Sequence, residues 1–251
     1  MIKKKVLIIG GGTAGVTIAN RLQEHFDVTV IEKSKYKNYP IIYKIPTLIV
    51  LLFRSKKLKY INSRKFTLSN GRVIPYYESN TYGGASVING CVHVLGSRKI
   101  WESILQKFNA TYEHLLESYK YIYSENYETK HKIHLTSSYQ NIIDDSFIKV
   151  LNLLGIPVGS TNFADNQSCG PILNTTKKFF RTSVLSILSK KLFKLHLNKN
   201  VDKLIFNESG KVKGVKTNLK KIEADYVILS GGVIGSCKLL LREKNKKLKI
   251  Q

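Results

Sequence analysis

The feature that most constrains this chain is the turn Gly10-Gly11-Gly12-Thr13-Ala14-Gly15, set between Lys5 to Ile9 (KVLII) and a helix-forming stretch that runs to about His25. The apolar run has the length and β-branched content of a buried strand, and the glycines end it. In a G-x-G-x-x-G turn each glycine has its own duty. Gly10 permits the tight turn, Gly12 lets the backbone approach a pyrophosphate, and Gly15 lets helix and strand pack closely. The phosphate then rests on unpaired N–H groups around Thr13 and Ala14 at the helix N-terminus. Val28 to Ile31 reads as a second strand, and Glu32 at its end is placed to accept hydrogen bonds from a ribose hydroxyl. Strand, glycine turn, helix, second strand and terminal acid together predict an α/β fold, a Rossmann-like FAD/NAD(P)-binding domain with a parallel sheet. This unit alone does not distinguish FAD from NAD.

Beyond it, Lys65 to Tyr77 carries Asn70-Gly71 between short apolar runs, which predicts a hairpin because both positions tolerate positive φ. Amphipathic helices are expected over Lys99 to Phe108, Thr111 to Tyr123 and Ile142 to Leu154, the last stopped by Gly155 and Pro157. Arg181 to Lys190 also reads helical. Strands are expected at Leu192 to Leu197, Val201 to Phe206, Lys211 to Thr217 and Tyr226 to Leu229, the last entering Ser230-Gly231-Gly232. Glu243 to Gln251 reads as a charged tail.

Tyr82 to Ser97 (YGGASVINGCVHVLGS) is similar to the first signature of the glucose-methanol-choline (GMC) oxidoreductase family, in which a Gly-Gly-Ser/Thr-Ser-x-Ile-Asn run begins a helix against the FAD pyrophosphate and flavin. Trp101, Arg181-Thr182-Ser183, Asn200-Val201 and Tyr226 to Leu241 resemble further family motifs in the same order, so the likeness runs from Lys5 to about Arg242. The pattern departs at Ser79 and Tyr82, where the family usually has Gly and an aliphatic residue, and at Cys237, where Pro is common. The resemblance implies FAD as cofactor, held by Gly10, Gly12, Thr13, Ala14, Gly15, Glu32, Gly83, Gly84, Ser86, Asn89, Gly90, Val201 and Gly231. Residues 1–242 are expected to form the FAD-binding part, with 1–35, 80–98 and 190–242 as its core, 99–189 as a mainly helical insertion and 243–251 as the tail. An incomplete α+β portion of a substrate domain is expected beside it.

In the family, flavin takes hydride from an alcohol, as in choline dehydrogenase-like enzymes, and a histidine takes the proton. The resemblance implies an amino-terminal part that stops before the catalytic histidines, completed by a separate polypeptide. No catalytic residue is assigned. His131 and His134 fall in a polar segment and are expected to be solvated; His93 is expected on a helix face near the flavin, as a packed residue. The alternatives are a non-catalytic structural or polyanion-binding protein, and the product of a decaying gene.

A formal charge of +24 suits a polyanionic partner. Yet 34 of the 41 basic residues are Lys and only seven are Arg, the residue suited to bidentate phosphate and base contacts, so nucleic-acid binding is the secondary reading. Cys91, Cys169 and Cys237 are widely spaced, without CxxC or paired His, which argues against a zinc site or disulfide framework and for a reducing, cytoplasmic setting. Pro46 to Phe53 (PTLIVLLF) is too short to span a bilayer, which takes about 20 apolar residues.

Overall fold

The computed structural model describes residues 2–48, 59–138, 141–159, 168–190 and 192–243. The chain divides into two compact units, Met1–Ile88 with Leu188–Gln251, and Asn89–Ile187.

The first unit opens with β1 (Lys5–Ile9), α1 (Thr13–Leu22) and β2 (Asp27–Ile31), in the expected order. A hairpin of β3 (Ile61–Thr67) and β4 (Val73–Ser79) follows, turning at Asn70-Gly71 with Gly71 at φ 79°. After the second unit come β5 (Lys194–His196), β6 (Val201–Phe206), β7 (Val212–Thr217), β8 (Lys221–Glu223), β9 (Tyr226–Leu229) and α2 (Gly232–Arg242). The main sheet has the order β5-β2-β1-β9 with every neighbouring pair parallel, Ile8 lying in register with Val30 on one side and Ile228 on the other.

Side chains of β1 alternate between two cores. Val6 and Ile8 join Val28, Val30, Phe193 and Ala19 of α1. Leu7 and Ile31 pack instead with Val201, Leu204, Val215 and Leu239, contributed by the antiparallel strands β6 and β7 and by α2. A sheet covered on both faces needs apolar residues at successive positions, which is why β1 and β2 read as near-continuous apolar runs.

The second unit holds helices at Arg98–Leu105, Tyr112–Ile122 and Ile142–Leu153, interleaved with two-residue strands such as Val92–His93 and Leu173–Asn174, so it is less helical than expected. Two of these helices begin in reciprocal caps. Thr111 Oγ1 accepts from the His114 N–H while His114 Nδ1 accepts from the Thr111 N–H, and Asn141 Oδ1 accepts from Ile143 and Asp144 at 2.9 and 3.1 Å.

Three expectations are corrected. The helix expected after Gly83-Gly84 is a single 3₁₀ turn, Gly84–Val87, with both glycines at positive φ. Asn89 Oδ1 then takes the Cys91 N–H in an Asx turn, which ends helical geometry before Val92–His93. In place of a helix over Arg181 to Lys190, Arg181 ends the two-residue strand Phe180–Arg181 and only the 3₁₀ turn Val184–Ile187 follows, because Thr182 bonds out through its N–H to Thr175 and through Oγ1 to the His134 carbonyl. Glu243, assigned to the charged tail, is 1% exposed and accepts from the Leu204 N–H at 3.2 Å, anchoring the end of α2 to β6. Of Pro46 to Phe53, only Pro46–Leu48 lies among the described residues, as a 3₁₀ turn. No described helix is long and apolar enough to cross a membrane.

Candidate functional site

At the carboxyl ends of β1 and β9 the chain turns twice on glycine. Gly10 sits at φ 104°, and a methyl built there would come within 2.4 Å of the Ser230 carbonyl oxygen. At Gly15 it would lie 1.9 Å from the Gly10 oxygen, so α1 approaches β1 more closely than any side chain allows. The Ser230 hydroxyl donates to the carbonyls of Ile9 and Gly10, both at 3.0 Å, tying β9 to the turn. Gly12 caps α1 without any side-chain hydrogen bond, and the first turn of the helix carries no acidic residue. The leading N–H groups of α1, at Thr13 and Ala14, therefore face outward as a donor set for an anion.

A second glycine turn lies against the first. The Gly83 N–H donates to the Gly11 carbonyl at 2.8 Å, and a methyl on Gly84 would come 2.8 Å from Gly12 Cα. A methyl on Gly12, by contrast, would meet only Gly84 Cα, at 3.9 Å. That side of Gly12 is open, bare backbone. Ser86, expected to offer a polar group there, is buried and donates to the Gly83 carbonyl at 2.7 Å, so it fixes the second turn.

Glu32 is 6% exposed at the end of β2. Its Oε2 accepts from the Gly11 N–H at 2.6 Å and its Oε1 from the Ser34 N–H at 2.7 Å, which leaves each oxygen a further lone pair. The chain beyond β5 runs alongside it, the N–H groups of Asn198 and Lys199 donating to the Ser34 and Glu32 carbonyls and bringing Val201 to the same end of the sheet. Gly231 caps α2 beside Gly10. Gly10, Gly12, Thr13, Ala14, Gly15, Glu32, Gly83, Gly84, Ser86, Val201 and Gly231 thus all belong to the first unit.

Tyr82 was not among the residues expected in the site. Its ring lies against Gly11, where a methyl would come 2.8 Å from Tyr82 Cδ2 and 3.3 Å from Glu32 Cβ. The side chain is 3% exposed, and its hydroxyl has no hydrogen-bond partner among the described residues. Burial first, and the Glu32 charge second, push the phenol well above its ordinary range, so it remains a proton donor. The departure from an aliphatic residue at this position was the one signal in the sequence that could have singled it out.

Asn89 and Gly90 open the second unit, where Asn89 Oδ1 also accepts from the Arg181 guanidinium. Two motifs far apart in sequence meet there. His93 lies on a strand, not a helix, and packs against the stacked pair Tyr119 and Tyr123 at ring distances of 5.4 and 4.6 Å. His134, expected to be solvated, is 6% exposed on the strand Ile133–His134, whereas His131 is exposed. Burial lowers the pKa of both His93 and His134, with Lys177 adding to the shift at His134.

The family model for GMC oxidoreductases matches residues 4–243. Among solved structures, the chain is similar to pyridoxine 4-oxidase from Mesorbium loti, at 18% identity over 91% of this chain and 49% of that one, with a TM-score of 0.74. A variant of the Aspergillus oryzae formate oxidase studied for FAD modification gives 23% identity, 96% and 48% coverage and a TM-score of 0.75. An FAD-dependent oxidoreductase from Chaetomium thermophilum gives 19%, 94%, 47% and 0.68. The chain spans about half the length of these structures.

Proposed function

The chain belongs to the GMC oxidoreductase family, and from that premise we propose that its first unit binds FAD and serves as the cofactor half of an oxidoreductase acting on alcohol-type CH–OH donors. The observation that carries this reading is the pairing of two glycine turns, with the open side of Gly12 facing a gap that a phosphate fits and a side chain would fill. The leading N–H groups of α1 would hold the pyrophosphate. Glu32, fixed by two backbone N–H groups, would accept from the adenosine ribose. Val201 and Gly231 would flank the adenosine and pyrophosphate with backbone alone.

When bound, the flavin supplies the hydride acceptor for the alcohol carbon. No histidine of this chain is assigned to take the hydroxyl proton: His93 and His134 are buried in the second unit, where burial holds them neutral. The reading assigns that proton to a segment of the kind that fills the other half of the solved relatives, carried on a longer chain or on a second polypeptide.

The test is a visible absorption spectrum of the protein after incubation with FAD and desalting, on the wild type and on Gly12→Ala. Flavin bands retained by the wild type and lost from Gly12→Ala, with unchanged apo-protein unfolding, are expected. The Gly12 backbone, at φ −82°, suits alanine, and the methyl meets nothing closer than 3.9 Å, so the variant keeps the fold and blocks only the cradle. A wild type that retains no flavin, or a Gly12→Ala protein that retains it equally, overturns the assignment.

A further inference from the structure

We propose that the antiparallel sheet β6-β7-β8 is a membrane-contacting surface: Lys203, Lys216, Lys220 and Lys221 bind the headgroups of an anionic lipid surface, and Leu219 enters its acyl boundary. The proposal concerns the surface of the first unit and stands apart from the dinucleotide site.

The register of the three strands sets up the charge. Leu204, Val215 and Ile222 lie directly across from one another and face the core, so the neighbouring row faces solvent. That row is Lys203, Lys216 and Lys221, all exposed, with Lys216 opposite both of the others. Like charges directly opposite in a sheet destabilise it. Nothing in the protein relieves them: none of the three ammonium groups, nor that of Lys220, has an ion pair or hydrogen bond among the described residues. Glu223, further along β8, pairs with Lys213 at 3.7 Å, and Asp202 accepts from the Asn200 amide at 2.9 Å. Lysines on an edge strand guard against strand pairing, but Lys216 sits on the central strand, where that duty does not arise. An external anion answers the row on all three strands at once.

The turn that joins β7 to β8 tells which anion. Buried Thr217 closes it: its N–H and its hydroxyl both donate to the Lys220 carbonyl at 2.9 Å, and its oxygen accepts from the N–H groups of Leu219 and Lys220. The turn is therefore held in one shape, with Leu219 at its tip and 66% exposed. A single exposed leucine on a protein surface is ordinary. This one stands directly beyond the closing pair Lys216 and Lys221, with Lys220 beside it. Apolar tip and surrounding lysines are the two components that a lipid interface rewards together, acyl chains taking the first and acidic headgroups the second. A nucleic acid would reward only the lysines, and the turn carries neither an aromatic ring for base stacking nor an arginine.

The experiment is co-sedimentation with vesicles of phosphatidylcholine alone and of phosphatidylcholine with about a third phosphatidylserine. Wild type is compared with the row variant Lys203→Gln, Lys216→Gln, Lys221→Gln, with Leu219→Ser, and with Lys107→Gln, Lys130→Gln, Lys149→Gln, which removes the same charge from exposed sites on the second unit. Wild type is expected to bind only the phosphatidylserine vesicles, the row variant about 100-fold more weakly and Leu219→Ser about tenfold more weakly. The control triple should lose no more than about threefold, since distant charges are screened. The ligand-free unfolding midpoint of the row variant should equal or exceed that of wild type, because a repulsion has been removed. A wild type that ignores phosphatidylserine overturns the proposal, as do equal losses in the two triples, which would make the binding a matter of net charge. Unchanged binding by Leu219→Ser overturns it too. If that variant also holds a DNA duplex, measured by fluorescence anisotropy, as wild type does while the row variant loses it, the surface serves nucleic acid instead. A lower midpoint in the row variant would show that the fold itself relies on these lysines and would equally end the argument.

Discussion

Replacing Glu32 by Gln isolates what holds the first glycine turn in place. The carboxylate is 6% exposed, and each oxygen accepts one backbone N–H, from Gly11 at 2.6 Å and from Ser34 at 2.7 Å. Gln keeps the shape but offers one oxygen, so its amide group must point two N–H donors at a third. One charge-assisted hydrogen bond is lost, about 1.5 to 3 kcal/mol, and a buried backbone N–H is left unpaired at a further cost of about 1 to 3 kcal/mol. The remaining bond also weakens, because its acceptor is no longer charged. A loss of about 3 to 5 kcal/mol is therefore expected, a large share of the roughly 5 to 15 kcal/mol that holds a domain folded. Urea unfolding followed by circular dichroism at pH 7, extrapolated to zero denaturant, measures it. A loss below about 1 kcal/mol would refute the reasoning, since it would mean that these two short bonds contribute nothing beyond what water gives the unfolded chain.

Two further outcomes can be checked on the same apparatus. Gly15→Ala places a methyl 1.9 Å from the Gly10 carbonyl oxygen and is expected to cost more than about 3 kcal/mol or to prevent folding, whereas Gly71→Ala, at φ 79° in open space, should cost only about 1 to 2 kcal/mol of backbone strain. Stability should also fall as the pH drops below about 6.5, the ordinary histidine value, because burial lowers the folded-state pKa of His93 and His134 and the unfolded chain then binds the extra protons. That contribution is fully present above the unfolded pKa, and the double variant His93→Gln, His134→Gln should flatten the slope between pH 7 and 5; an unchanged slope would show that neither ring resists protonation.

How much of this was legible in the sequence depends on whether the signal was local. β1, α1 and β2 were readable because a doubly covered parallel strand writes itself as an apolar run and because glycine at Gly10 and Gly15 answers to contacts no other residue survives. The hairpin turned at Asn70-Gly71 for the same kind of reason. The helix expected after Gly84 was not there, since the Asx turn from Asn89 to Cys91 competes for the backbone and no period in the sequence reports that. Arg181-Thr182 escaped helix for a reason carried by distant partners, Thr175 and the His134 carbonyl. His134 looked solvated because the wider segment is polar, although its flanking residues Ile133 and Leu135 are apolar and are buried with it.

Glu243 shows the limit most clearly. A glutamate opening a run of lysines reads as the start of a solvated tail, yet its buried carboxylate caps the Leu204 N–H where α2 meets β6. The site itself is different in kind. Apart from Glu32, and from Ser86 and Ser230 that hold the turns, it is built from backbone: N–H groups at the start of α1 and two glycine turns in contact. A backbone site depends on a few glycine positions and is indifferent to what the exposed residues become. That is how a chain with 34 lysines and a net charge of +24 can keep the glycine spacing of a dinucleotide cradle.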